Sequence, residues 1–254
     1  MKWTVVAVIF ISLPALSQTN GIPGWNLSRT LELKAQTHHV QGIEFDAHTL
    51  WVTSVDSDNH KGFLQEFSFD SGEMLQSAEI QDNERFHPGG IAADGDSLWI
   101  PVAEYRAHSS SVIEKRNKKS LKVTFAFQVA DHIGCVAMVK GFLVGGNWDS
   151  REFYVWDHNG KLIRKVESGT NNAYQDIKFD PPYLVASGLL PDQSGAIDWL
   201  EWPALRLSSR VAAGMTDLQM PLTREGMAIR GGQLLLLPED DRSRVFVFTK
   251  SRSN

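Results

Sequence analysis

The chain of 254 residues contains eight tryptophans, and 42% of its residues are hydrophobic, a composition that supports an ordered core and excludes a disordered chain. The formal net charge of −5 argues against nucleic acid or an anionic membrane surface as a partner. A single cysteine, Cys135, excludes an intrachain disulfide, and its place in an apolar run predicts a buried structural thiol.

The first 17 residues have the pattern of a secretory signal peptide. Lys2 precedes an apolar run that ends at Leu13, and small residues follow. We therefore predict cleavage near Ser17, a single domain over residues 18–254, and a secreted or periplasmic location. No later stretch approaches the ~18 uninterrupted apolar residues of a membrane helix, so no membrane span is predicted.

A motif of two short apolar strands joined by a polar or glycine turn recurs five times along the chain. It begins as HVQGIEFDAHTLWVTSVD and returns as HPGGIAADGDSLWIPVAE, HIGCVAMVKGFLVGGNWD, AYQDIKFDPPYLVASGLL and TREGMAIRGGQLLLLPED. The equivalent positions Gly42, Gly90, Cys135, Asp176 and Gly226 are 48, 45, 41 and 50 residues apart. One four-stranded blade of a β-propeller has ~40–50 residues. The period therefore predicts an all-β fold with one blade for each repeat.

The fifth repeat ends at Lys250 with a third strand and has no fourth. The segment WNLSRTLELKA precedes the first repeat and has no partner of its own. Placing Asn26 to Leu33 as the outer strand of the last blade would close the ring and remove an exposed edge. We predict a single five-bladed β-propeller closed by an N-terminal strand in the last blade. Four or six blades would need an irregular strand count, and a β-sandwich would not explain the period.

Loops that open on one face of a propeller gather side chains that are distant in sequence. His39, His87 and His132 stand three positions before the equivalent glycine or cysteine of the first three repeats. One interpretation is a zinc-like divalent transition-metal site, because neutral imidazoles favour zinc, copper, nickel or iron. The other is structural, with each imidazole hydrogen-bonded to the backbone of a neighbouring blade. The sequence leaves both open.

Further candidates stand directly before the equivalent glycine position or at the ends of the second strands. The candidate ligand-binding residues are Gln41, Gln175, Trp148, Asp149 and Glu239. The candidate proton-transfer residues are Glu225 and Glu104, since carboxyl groups at a channel mouth can move a proton on a bound substrate. The sequence has no phosphate-binding glycine loop, no G-x-S-x-G elbow and no H-E-x-x-H motif.

Two resemblances extend this interpretation. The first blade, VQGIEFDAHTLWVTSVDSDNHKGFLQEFSFDSGEML, resembles the first blade of five-bladed glutaminyl-peptide cyclotransferases of the plant and bacterial type. That resemblance implies proton transfer by acidic residues at the channel mouth, and Gln175 falls where that family's glutamate-containing stretch would lie. Over nearly the whole chain, HVQGI, HPGGI and WIPVAEYR are similar to an uncharacterised family of secreted propeller proteins, which implies the fold but no activity.

Two functional classes follow. The first is a secreted propeller that binds a small molecule, a peptide terminus or a divalent metal at the axial channel mouth. The second is an enzyme at the same site, either a glutaminyl-peptide cyclotransferase or a metal-dependent hydrolase of a small ester or lactone. Binding ranks first, because no acid–base pair matches a known enzyme residue by residue. The sequence does not indicate the oligomeric state.

Overall fold

The computed structural model describes residues 21–240 and 242–251, so the predicted signal peptide lies outside the described residues. The chain forms five antiparallel sheets arranged as the blades of a β-propeller. Blade 5 consists of β19 (Glu225–Arg230), β20 (Gln233–Pro238), β21 (Arg244–Lys250) and, as its outer strand, β1 (Trp25–Glu32). None of the helical turns in the described ranges is long and apolar enough to cross a membrane.

The other four blades follow one another along the chain. Blade 1 contains β2 (His39–Phe45), β3 (Thr49–Asp56), β4 (Lys61–Ser68) and β5 (Met74–Glu79). Blade 2 contains β6 (Arg85–Pro88), β7 (Ala92–Asp94), β8 (Ser97–Glu104), β9 (Ser111–Asn117) and β10 (Val123–Val129). Blade 3 contains β11 (Ile133–Val139), β12 (Phe142–Asn147), β13 (Glu152–Trp156) and β14 (Leu162–Glu167). Blade 4 contains β15 (Ala173–Asp180), β16 (Tyr183–Leu189), β17 (Gly195–Glu201) and β18 (Arg206–Ala213).

The ring closes as the sequence predicts. Strand β1 pairs antiparallel with β21, with Trp25 opposite Lys250 and Leu31 opposite Val245. Leu31 is buried in an apolar cluster that also contains Val52 of blade 1, so the closing strand contributes to the core between the last and first blades. The prediction of five blades closed by an N-terminal strand is confirmed.

Apolar side chains of the three inner strands of the blades form most of the core between blades. Trp51 packs with Leu98 between blades 1 and 2, and Trp99 packs with Ile133 between blades 2 and 3. Both tryptophans therefore serve packing. Cys135 is fully buried, and desolvation raises the pKa of its thiol to about 12, which confirms the predicted structural thiol.

The inner strands bulge at one repeated place, and this positions the site. The pairing register between first and second strands shifts on either side of Gln41, Gly134 and Gln175. A bulge leaves one residue unpaired and redirects its side chain. Neighbouring inner strands approach closely at this level. As a result, a Cβ atom added to Gly89 would lie only 1.9 Å from the carbonyl oxygen of Gly134.

Candidate functional site

A cavity of about 120 Å³ lies at the channel mouth, where the inner strands begin. It brings together six residues that the sequence analysis singled out, namely Gln41, His87, His132, Trp148, Asp149 and Gln175. Its remaining lining residues are Gly89, Gly134, Asn147 and Tyr174. Side chains from four blades thus surround one small polar space.

The two histidines of this cavity are adjacent and uncharged at neutral pH. Their ring centroids lie 5.3 Å apart. Burial lowers the pKa of His132 and takes the pKa of His87 well below its ordinary value, and the other histidines act in the same direction on His87. Neutral imidazoles can accept as well as donate hydrogen bonds.

Their hydrogen bonds differ. Nδ1 of His132 donates to the carbonyl oxygen of Arg106 at 3.0 Å, which is the backbone contact with a neighbouring blade that the structural interpretation expects. Nε2 of His87 lies 3.0 Å from Oε1 of Gln41. Its buried Nδ1 has no hydrogen-bond partner in the part of the chain that the structure describes. Buried polar atoms without partners are rare and call for an explanation.

Glu225 lies at the first residue of β19, at the same mouth. Its backbone φ is +102°, a conformation that residues with a Cβ atom rarely adopt, and its side chain is buried. Desolvation raises the pKa of the carboxyl group to about 8, the nearby carboxylates of Glu239 and Asp176 act in the same direction, and Arg224 opposes them. At neutral pH Glu225 is therefore mainly protonated. Such a group can donate a proton to a bound molecule.

His39 lies between two glutamates beside the cavity. Its Nδ1 is 2.7 Å from Oε1 of Glu239, although the two atoms are not aligned for a hydrogen bond, and its Nε2 is 4.0 Å from Oε1 of Glu225. One potential ligand atom from each of these residues lies within 4.8 Å of the others. Imidazole and carboxylate groups suit zinc and related ions. We call His39, Glu225 and Glu239 the His–Glu cluster; His87 and His132 are not part of it.

Glu104 occupies a different setting at the end of β8. Its carboxylate accepts hydrogen bonds from the guanidinium of Arg106 at 2.6 Å and from the hydroxyl of Ser110 at 2.9 Å. These contacts lower its pKa, so the group is ionised, and it is not among the residues that line the cavity. The role of Glu104 in proton transfer stays a prediction. Its contacts with Arg106 and Ser110, away from the cavity lining, do not support that role.

Three further residues of this region were not named as site residues from the sequence. The ring of Tyr105 lies 4.4 Å from that of His87, and Asn147 lines the cavity. Each directly neighbours a residue that was named, so a wider window at the strand ends would have found both. Asp176 marks a third position, because it is the one charged residue at the repeated glycine position, where it is fully buried.

A family model described as a family of unknown function, DUF6454, matches residues 39–177, which is more than half of the chain. No curated protein matches the sequence at a significant level.

Two solved structures show the same fold. One is the glutaminyl cyclase of Myxococcus xanthus, with a TM-score of 0.68 and 14% identity over 90% of this chain and 97% of that one. The other is the Pan2 WD40 domain of Neurospora crassa, with a TM-score of 0.51 and 9% identity over 91% of this chain and 96% of that one. At these identities the likeness concerns the fold alone.

Proposed function

The chain belongs to the DUF6454 family, and we propose that it binds a small polar molecule or the terminus of a peptide in the cavity at the channel mouth. The observation that carries this proposal is the convergence of Gln41, His87, His132 and Gln175 on one small cavity beside the buried carboxyl group of Glu225. Ligand sites are concave and contain a few convergent polar groups with perturbed pKa values.

The cavity suits one residue or a molecule of similar size. Gln41 and Gln175 each offer an amide that can donate and accept hydrogen bonds, and the neutral imidazoles do the same. A peptide terminus presents matching groups, namely an amine and a backbone amide. The small volume of about 120 Å³ excludes a long segment of folded chain.

Binding is tested by calorimetry with short peptides that carry a free N-terminal glutamine. We expect the parent protein to bind and Gln175→Ala to bind about tenfold more weakly, since one or two hydrogen bonds are lost. Gln128→Ala, on the exposed face of the outer strand β10, is the matched control and should bind like the parent. Absence of binding by the parent, or unchanged affinity in Gln175→Ala, would contradict the proposal.

A second candidate function is cyclisation of N-terminal glutamine, favoured by the protonated and strained Glu225. In this reaction the α-amine attacks the side-chain amide carbon, a ring C–N bond forms, and the amide nitrogen leaves as ammonia. The amine gives up one proton and the leaving nitrogen takes one, so a single carboxyl group can serve both steps. The fold shared with a glutaminyl cyclase supports this candidate.

Cyclisation is tested by mass spectrometry, which follows the loss of ammonia from a glutamine-terminated peptide. Turnover should exceed the spontaneous rate and fall by a factor of 10² or more in Glu225→Gln. The control Glu73→Gln alters a remote, exposed carboxylate and should retain activity. A rate equal to the spontaneous one would leave only binding, or hydrolysis of a small ester or lactone.

We further propose that the mouth can hold one divalent transition metal of zinc-like chemistry. Two ligand sets are available, namely the three histidines proposed from the sequence repeat and the His–Glu cluster. The cluster has the better support, because its ligand atoms already lie within 4.8 Å of one another. A metal there would supply Lewis acidity, and Glu225 would bind it as a carboxylate.

We also propose export of the protein, which is the expectation raised by residues 1–17. Fractionation of cells that express the full chain, with N-terminal sequencing of the product, tests it. A mature protein that begins near residue 18 outside the cytoplasm is expected. An uncleaved product in the cytoplasm would contradict it.

A further inference from the structure

Four aromatic rings form a continuous group beside the mouth cavity. The centroid of Tyr105 lies 4.4 Å from that of His87, His87 lies 5.3 Å from His132, and His132 lies 4.6 Å from Trp148. The outer members of this aromatic group, Tyr105 and Trp148, are 43% and 38% exposed. Because both rings are exposed, they remain available to a ligand.

The charges around this aromatic group favour a cation. Asp149 lines the cavity next to Trp148 and takes part in none of the ion pairs between described residues. Glu239 lies close enough to Tyr105 to add to the effect of burial in raising the pKa of its hydroxyl. Both imidazoles are neutral and carry no positive charge into the site.

Two positive side chains near the mouth, those of Arg106 and Arg224, are paired with carboxylates. The guanidinium of Arg106 lies 2.6 Å from the carboxylate of Glu104, and that of Arg224 lies 3.1 Å from Glu239. Neither cation therefore offsets the charge of Asp149. Among the described residues that line the cavity, Asp149 is the acidic one, and neither a lysine nor an arginine is present.

A constrained turn presents the indole and the carboxylate together. Trp148–Ser150 forms one 3-10 turn in which Asp149 has a φ of +58° and Ser150 a φ of +50°. The backbone N–H of Trp148 donates to the carbonyl oxygen of His132 at 3.0 Å, and the side chain of Asn147 accepts from the N–H of Glu152 at 2.8 Å. The turn is thus held in place before any ligand arrives, which reduces the entropic cost of binding.

We propose that the cavity selects a small organic cation, with an ammonium group against the rings of Trp148 and Tyr105 and near the carboxylate of Asp149. Aromatic faces attract cations within about 6 Å of the ring centre. This inference rests on the proposed ligand site and names its substrate class. A primary or methylated amine, including the free N-terminus of a peptide, has the required chemistry.

The test compares two probes of equal shape and different charge, choline and 3,3-dimethylbutan-1-ol. Affinity is measured for the parent protein by nuclear magnetic resonance titration at neutral pH and low salt. We expect choline to bind at least about tenfold more tightly, because only choline gains the cation–π and carboxylate interactions. Equal affinity of the two probes, or no binding of either, would overturn the inference.

Variants locate the interaction. Trp148→Leu should reduce choline affinity by roughly 2- to 30-fold, and Asp149→Asn should also reduce it. Tyr105→Leu removes an aromatic ring face and should reduce choline affinity as well. Phe125→Leu removes an exposed aromatic ring from the outer strand β10 and is the matched control.

An unchanged affinity in both Trp148→Leu and Asp149→Asn would overturn the assignment. The proposed function is judged separately, by binding of the glutamine-terminated peptide and its loss in Gln175→Ala. A protein that binds this peptide but does not prefer choline over its neutral analogue retains the proposed site and loses the cation selectivity.

Discussion

Oδ2 of Asp176 accepts a hydrogen bond from the backbone N–H of Met227 at 3.1 Å, and this contact joins the inner strands of blades 4 and 5 at the channel axis. The same oxygen lies 3.4 Å from the backbone nitrogen of Ile43 in blade 1. Oδ1 binds the ammonium group of Lys178, which is buried as well. One carboxylate therefore connects three blades and neutralises a buried cation.

Replacing Asp176 should destabilise the whole propeller. Asp176→Ala leaves the buried ammonium group of Lys178 without its partner, and loss of one partner of a buried ion pair costs about 3–5 kcal/mol of unfolding free energy. Denaturant unfolding measures this loss. Asp70→Ala, at a side chain that is 76% exposed, should change stability by less than about 0.5 kcal/mol. Equal stability of the two variants would contradict the axial role of Asp176.

Glu225 should make the protein less stable as the pH rises. Its carboxyl group has an ordinary pKa of 4.5 and a pKa of about 8 in the fold, so the folded state binds the proton more tightly. This contribution is fully present below about pH 4.5 and is lost as the pH rises through about 8. Asp176, with a pKa raised to about 6, acts in the same direction at lower pH.

Glu225→Gln should flatten this dependence, because the amide cannot ionise. Urea unfolding between about pH 5 and 8 gives the slope, which for one group is at most about 1.4 kcal/mol per pH unit. We expect the variant to gain stability relative to the parent toward the alkaline end. If the unfolding free energies of parent and variant changed with pH in parallel, the carboxyl group of Glu225 would not bind its proton more tightly in the folded state.

The closing strand should contribute through its buried face. Leu31→Ala removes a side chain from the cluster between blades 5 and 1 and should cost about 2–4 kcal/mol in unfolding free energy. Leu27→Ala, in the same strand but 48% exposed, is the matched control. Deletion of residues 18–33 should abolish cooperative unfolding or cause aggregation. A deletion variant that melts like the parent would contradict closure by β1.

The two metal-ligand sets give opposite results in one experiment. If the His–Glu cluster binds zinc, Glu239→Gln should weaken calorimetric zinc affinity by about tenfold or more, and His132→Ala should leave it unchanged. If the three histidines bind it, His132→Ala should weaken binding and Glu239→Gln should have little effect. A parent protein that contains no metal and binds no zinc near neutral pH would return His39 to a structural role.

Much of the mouth could be predicted because its residues recur at one register. Gln41 and Gln175 precede equivalent positions in their repeats, and both line the cavity. Glu104, at the end of a second strand, and Glu225, directly before the equivalent glycine, are both candidate proton-transfer residues by position, although their environments are opposite. Glu104 is held by Arg106 two residues away, whereas burial keeps Glu225 protonated. The repeat register predicts where a residue lies on a blade, but it does not predict how far the side chain is buried from water.

The sequence by itself determined the five blades, their order and the closing strand, because the repeat period, apolar strands and an unpartnered first strand are properties of the linear chain. Only the tertiary structure decided which polar groups meet at the mouth. His39 and Glu225 stand near opposite ends of the chain and approach to 4.0 Å because ring closure sets β2 beside β19. Their environment depends on three-dimensional burial and on neighbouring blades, which no local pattern encodes.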